Sequence, residues 1–243
     1  MTIPALAHAI LQARHDRRRA YLVDAPLDAA SAYAVQAAVA VATGPVGGFK
    51  TARKPGAAPI MAPIFARDIH PSGTQLSSAF GGKLGIELEL GFRVTALPDL
   101  AASDLTAQLA KCLEPLVVIE TVDTRLHGPD STAPLVQLAD NQINAGLITG
   151  PTLHGWDGRS FATVQARMMA GDTCLLDGPT QVPGGDALAS VVGLLQMVGD
   201  HCGGVQVGHV IITGSLHPLT YVDPGTQVAG RIDGIGEIAV TIG

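Results

Sequence analysis

The chain has 243 residues, of which 47% are hydrophobic and 15% charged. That composition excludes default disorder and a short-peptide or coiled-coil reading, and it is ample for a buried core in one domain. Fifteen lysines and arginines against 21 aspartates and glutamates leave a net charge of −6, which argues against a nucleic-acid surface and favours small molecules or protein partners.

Residues 3–18 carry Ile3, Leu6, Ala7, Ile10 and Leu11 at helical spacing, and residues 27–42 repeat the pattern with Leu27, Tyr33, Val35, Ala38 and Val41. A pair of helices is therefore predicted to open the chain, with residues 1–42 as a helical segment and 43–243 as a β-rich core. Arg14, Arg17, Arg18 and Arg19 follow the first apolar run instead of preceding it, so no secretory leader is read there. At a helix C-terminus these charges complement the dipole, which is the reading given to them. The uncharged stretch 29–49 is broken by Ser31, Gln36, Pro45, Gly47 and Gly48, so it reads as a helix and turn instead of a membrane span. Cys112, Cys174 and Cys202 are odd in number and far apart, which suggests neither a disulfide framework nor a zinc ribbon and fits a reducing cytoplasm.

Residues 44–82 are rich in Gly and Pro and are predicted to be irregular, with one short strand ending at Lys50. Residues 84–94 alternate Ile86, Leu88 and Leu90 against Glu87 and Glu89, the period of a strand. A helix capped by Ser103 is predicted over 103–112, a buried strand over 115–122 and a helix over 184–201. Four strands are predicted after it, at 210–213, 219–222, 226–232 and 235–242, separated by Gly214, Pro224-Gly225 and Gly234. Strand-rich with tight turns, this is an α+β pattern.

Phosphate-binding loops, a dinucleotide fingerprint, the H-E-x-x-H zinc motif and a serine nucleophile elbow are all missing from the sequence. The carboxylates are more informative. A period of two puts Glu87 and Glu89 on one face of a strand, about 7 Å apart, where two like charges want a cation between them, although a solvated edge-strand face would look the same. Glu120 lies inside Leu116-Val117-Val118-Ile119-Glu120-Thr121-Val122, and a buried carboxylate there must be neutralised or paired. Three carboxylates without sulfur or histidine suit Mg²⁺ or Mn²⁺ better than Zn²⁺. Lys50 closes the apolar run Val46-Gly47-Gly48-Phe49-Lys50, where desolvation could tune it for acid/base work or it could simply reach solvent.

An ordered series of motifs spans most of the chain: Ala32-Tyr33-Ala34-Val35-Gln36, Gly48-Phe49-Lys50, Phe65-Ala66-Arg67-Asp68, Glu87-Leu88-Glu89 and Ile119-Glu120-Thr121-Val122-Asp123-Thr124-Arg125. It continues through Ala139-Asp140-Asn141, Ile211-Ile212-Thr213-Gly214 and Gly234-Ile235-Gly236-Glu237-Ile238. In these pieces the sequence resembles the 2-oxopent-4-enoate (2-hydroxypentadienoate) hydratases and 4-oxalocrotonate decarboxylases, of the fumarylacetoacetate hydrolase-like fold. The resemblance implies a mixed β-sandwich roll with flanking helices. It further implies that Glu87, Glu89 and Glu120 hold Mg²⁺ or Mn²⁺, that Lys50 and Asp68 handle protons, and that Phe65, Asp140, Thr213 and Gly214 bind substrate. The activity implied is that of a lyase on a small 2-oxo acid, first a hydratase of 2-hydroxypenta-2,4-dienoate in aromatic meta-cleavage catabolism and second a decarboxylase of 2-oxohex-3-enedioate. The second substrate would need a further cation, for which Arg53, Lys54, Arg67 and Arg125 are available. Homo-oligomers and complexes between hydratase and decarboxylase are implied as well, including the role of an assembly subunit with weak catalysis. Two departures stand out: Gln142-Ile143 where the family has a small residue and then serine, and Pro183-Gly184-Gly185-Asp186 where it has Gly-His-Pro.

Overall fold

A computed structural model describes residues 4–53, 58–102 and 104–243. In chain order the first half contains α1 (Ala5–Asp16), β1 (Ala20–Tyr21), α2 (Ala29–Thr43), β2 (Val46–Ala52), β3 (Ile60–Phe65), β4 (Ile69–Pro71), β5 (Gln75–Leu76), β6 (Leu84–Val94), α3 (Leu105–Cys112) and β7 (Leu113–Val122). The second half contains β8 (Leu126–His127), α4 (Pro134–Ala139), β9 (Asn144–Thr152), β10 (Thr163–Ala170), β11 (Thr173–Gln181), α5 (Ala187–Val198), β12 (Val210–Ser215), β13 (Thr220–Val222), β14 (Gln227–Ile232) and β15 (Gly236–Ile242).

The architecture is α+β, as predicted. An eight-stranded mixed sheet runs β3-β2-β12-β6-β7-β9-β4 with β13 also paired to β6, and a five-stranded sheet runs β11-β10-β14-β15-β5. The outer face of β6 and β7 (Leu88, Leu90, Ile119) packs against Ile238, Val240 and Val228 of the second sheet in the main core. Gly230 permits this approach, because a Cβ there would collide with Leu88. On the opposite face Ile64, Leu116, Val118, Leu147, Val210 and Ile212 fill the inside of the curled large sheet. Lys50 of β2, Glu87 and Glu89 of β6 and Glu120 of β7 share that face, since they pair with or lie beside residues of the inner cluster.

Several sequence expectations need correction. Residues 44–82 are largely ordered as β2 to β5, because β3 pairs antiparallel with β2 and β4 pairs parallel with β9. The hairpin of β10 and β11 and the strand β9 were not predicted at all. In α2 the buried face is Ala32, Val35, Gln36, Val39 and Ala40, whereas Leu27 and Val41 are almost fully exposed. An alanine-rich helix gives little contrast between faces, and Gln36 is buried because its side-chain amide donates to Met61 O and Leu138 O. The helix predicted over 103–112 is α3, capped by Asp104, whose carboxylate accepts from the Ala107 N–H; Ser103 lies outside the described residues. No helix among the described residues is long and apolar enough to cross a membrane.

Candidate metal centre

Glu87 and Glu120 face each other directly across the β6–β7 pair, and Glu89 follows two residues along β6 on the same face. One carboxylate oxygen from each of the three lies within 4.8 Å of the others. Glu89 and Glu120 are buried. Alternation also explains why the cluster forms here: Ile86, Leu88, Ile119 and Thr121 point to the other side, so the hydrophobic demand of the core forces the glutamates inward.

Lys50 enters from β2. Its Nζ donates to Glu120 Oε1 at 2.6 Å, to Glu120 Oε2 at 2.8 Å and to the Gln142 carbonyl at 3.2 Å. Asn144 Nδ2 donates to Glu120 Oε1 at 2.7 Å, and the Gly214 N–H donates to Glu89 Oε2 at 2.7 Å. Burial, followed by the charge of Glu120, pushes the Glu87 carboxyl up to about 7. Burial and the charges of Glu120 and Glu87 hold Glu89 well above the usual carboxylate range. For Lys50, burial favours the neutral amine, but Glu120, Glu89 and Glu87 together outweigh it and raise its pKa. Three carboxylates thus share one ammonium, and the group lacks positive charge.

That deficit is the observation that tests a cation. With all groups ionised the cluster carries two net negative charges, its oxygens converge, and the donors are hard carboxylates, so a divalent ion with oxygen preference fits. The cavity beside it, about 280 Å³, is lined by Lys50, Glu87, Glu89, Gln142, Ile143 and Gly214, with Gln137, Ser215, Val122 and Leu219 around them. Asn141, Gln142 and Ile143 all have positive φ, at 53°, 51° and 55°, which is costly for a β-branched side chain and is how this wall turns the Gln142 carbonyl toward Lys50.

The other predicted residues lie as follows. Gly214 borders the cavity, while the Thr213 hydroxyl is buried and donates to Leu90 O. Phe65 is buried among α1, α2 and α4, with the Arg14 guanidinium 5.0 Å from its ring centre. Asp140 is buried and paired with Arg125, whose Nε donates to Asp140 Oδ1 at 2.6 Å. Asp68 is not brought to Lys50: the 3₁₀ turn Ala66–Asp68 carries it to a second cavity, lined also by Thr121, Arg14 and Arg67. Thr121 and Glu120 are successive residues of one strand and face opposite ways, so the sheet stands between Asp68 and the carboxylate cluster. Conversely Gln137, Asn144 and Ser215 border or bind the centre with no signal in the sequence, whereas Gln142 stands out there only as a departure from the family pattern. Only the β7–β9 register, which sets Asn144 opposite Val122, discloses the amide beside Glu120.

No family model matches the chain. Among solved structures, it is similar to 4-oxalocrotonate decarboxylase from Pseudomonas putida G7 complexed with calcium and acetate, at 20% identity over 98% of this chain and 96% of that one, with a TM-score of 0.78. The same enzyme complexed with magnesium and adipate gives 0.77 at the same identity and coverage. Fumarylpyruvate hydrolase from Pseudomonas aeruginosa, in complex with Mn²⁺ and pyruvate, is 15% identical over 80% of this chain and 88% of that chain, with a TM-score of 0.59. The chain shares the fold of these proteins, the fold that the motif series implied.

Proposed function

We propose that this chain is a divalent-cation-dependent lyase of small 2-oxo acids, with Glu87, Glu89 and Glu120 as the residues that would hold Mg²⁺ or Mn²⁺. Held there, such a cation would supply positive charge to offset the negative charge of a 2-oxo acid and the charge that reaction builds on it. The observation that carries the reading is the converging carboxylate triad with its deficit of positive charge. The metal complexes of the fold neighbours support it.

Lys50 Nζ is the ionised donor that faces this cavity, held by Glu120 and the Gln142 carbonyl, and it is the group placed to hold and return a proton. Asp68 has no part in that step, since it lies across the sheet. The Ser215 hydroxyl and the Gln137 and Gln142 residues supply the polar part of the wall, and Val122, Ile143 and Leu219 shield the carbon skeleton from water. The cavity is below the roughly 300–1,000 Å³ typical of drug-sized ligands, which suits a short acid.

Between hydration and decarboxylation, the lining favours a monocarboxylate. Lys50 is its one cationic side chain among the described residues. Arg53 lines a separate cavity beside α5, Arg67 and Arg125 line the one across the sheet, and Lys54 lies outside the described residues. We therefore assign the addition of water to 2-hydroxypenta-2,4-dienoate, giving 4-hydroxy-2-oxopentanoate. Decarboxylation of 2-oxohex-3-enedioate is the second reading, favoured by the near full-length likeness to the decarboxylase that holds magnesium and adipate. The test is ultraviolet decay of freshly generated 2-hydroxypenta-2,4-dienoate with Mg²⁺, Mn²⁺ or chelator. Cation-dependent loss of the dienol with formation of the hydroxy acid is expected. Turnover of the dioic acid alone would move the assignment to the decarboxylase, and turnover of neither would overturn it.

A further inference from the structure

The cavity across the sheet has chemistry of its own. It measures about 460 Å³ and lies among the C-terminal end of α1, the turn Ala66–Asp68, residues 76–80 and the end of β7. Its cationic lining consists of Arg14, Arg17, Arg67 and Arg125, with His70 beside them, and its only carboxylates among the described residues are Asp68 and Asp123.

Those two carboxylates do not neutralise it. Asp123 is consumed elsewhere: Arg19 Nη2 donates to its Oδ1 at 2.7 Å and the Ser78 hydroxyl to its Oδ2 at 2.7 Å. Arg125 is likewise satisfied, by Asp140 and by the Asn144 carbonyl. Asp68 remains, and it is shared by Arg14 at 3.7 Å and Arg67 at 3.8 Å, both beyond hydrogen-bonding distance. Arg17 has no ion-pair partner among the described residues. None of the residues outside the description carries a carboxylate side chain.

Arg14 is the decisive group. Its side chain is only 14% exposed, and its Nε is buried without a hydrogen-bond partner among the described residues. A buried guanidinium N–H left unpaired is costly, and native proteins rarely leave one so. Burial, with the neighbouring charge of Arg125, pushes Arg14 down to about 10, still charged at neutral pH. The helix C-terminal dipole, the reading taken from sequence, cannot account for a guanidinium that leaves its helix to stack on Phe65 and reach this cavity.

We propose that this cavity is a binding site for a small oxyanion, a carboxylate or phosphate group of a multiply charged metabolite, held by Arg14 with Arg17 and Arg67. Planar guanidinium forks match both groups, and the shared chemistry is a pair of anionic oxygens that accepts a bidentate guanidinium. The site is separate from the glutamate cluster, because Thr121 and Glu120 face opposite sides of β7. It stands or falls independently of the reaction assigned above.

The experiment is titration calorimetry of the full chain, dialysed free of divalent ions, with inorganic phosphate and with succinate as probes and with chloride at matched ionic strength. Saturable uptake of one equivalent per chain is expected for at least one probe, weakening at least tenfold in Arg14→Gln. The exposed Arg17→Gln and Arg67→Gln variants should each weaken it severalfold, and they cover the case in which Arg14→Gln does not fold. Glu87→Gln should bind as the wild type does. Phosphate alone, succinate alone or both being bound identifies the source of the anion. No saturable uptake of either probe, or uptake unchanged in all three arginine variants, overturns the proposal. So does an oligomer that blocks uptake and dissociates on Arg14→Gln or Arg17→Gln, since the cavity would then be filled by a carboxylate of a second copy.

Discussion

Replacing Lys50 by methionine removes the one positive charge that the carboxylate cluster has among the described residues and nearly keeps the length of the side chain. Glu120 is fully buried and loses two contacts, at 2.6 and 2.8 Å, keeping only the Asn144 amide. Removing one partner of a buried pair costs about 3–5 kcal/mol, because the other charge is left uncompensated. For a chain of this size about 1 kcal/mol corresponds to roughly 2–4 °C, so a fall in Tm of about 6–20 °C is expected in cation-free buffer. Excess Mn²⁺ should close part of that gap, since the ion replaces the ammonium as the neutralising charge and a ligand at about 100 times its Kd adds about 2.7 kcal/mol. Thermal unfolding followed by circular dichroism, with and without Mn²⁺, reads both effects. A Lys50→Met variant within about 2 °C of wild type without cation, where the same conversion allows at most about 1 kcal/mol, would refute the electrostatic reasoning.

Further outcomes follow from the same geometry. Glu87 has a folded-state pKa of about 7, above its ordinary 4.5, so the folded state holds more protons between these values and cation-free stability should fall as pH rises through this window. Saturating Mg²⁺ should flatten that decline and Glu87→Gln should reduce it, and cation affinity should rise with pH through this window, since a cation must displace the protons held by Glu87 and Glu89; melting curves and calorimetry against pH check both. Arg125→Met strands Asp140 in the core and should cost about 3–5 kcal/mol, measured by urea unfolding. Gly48→Ala should prevent the β2–β12 pairing that carries Lys50, because the added Cβ would collide with the Val210 carbonyl; loss of soluble folded protein, read by expression and circular dichroism, is expected.

The site was legible in the sequence where one local rule decided it. Glu87 and Glu89 were placed on one face by strand alternation, and Glu120 stood out as a carboxylate in an apolar run. The four C-terminal strands were marked by their glycine and proline turns, and β12 to β15 form within a residue or two of the predicted bounds. What was not legible depends on which way a sheet faces. Asp68 follows Phe65 closely in a motif, yet a 3₁₀ turn sends it to the far side, and no spacing rule shows that. Arg14 in α1 and Arg19 just after it lie where a helix C-terminus explains their charge locally, so the use of Arg14 by Asp68 and Phe65 and of Arg19 by Asp123 could not be read. The β10–β11 hairpin is not legible because its inward positions include the small residues Ala166, Ala170 and Gly178 and because Pro179 interrupts the run, which weakens the alternation that betrays a strand.

A divalent ion held by Glu87, Glu89 and Glu120 can be seen in a Mn²⁺ titration followed by electron paramagnetic resonance. One Mn²⁺ per chain is expected, displaced by Mg²⁺, with binding severely weakened in Glu89→Gln and in Glu120→Gln while both variants remain folded by circular dichroism. No bound Mn²⁺ at neutral pH, or binding unchanged in both folded variants, would contradict it.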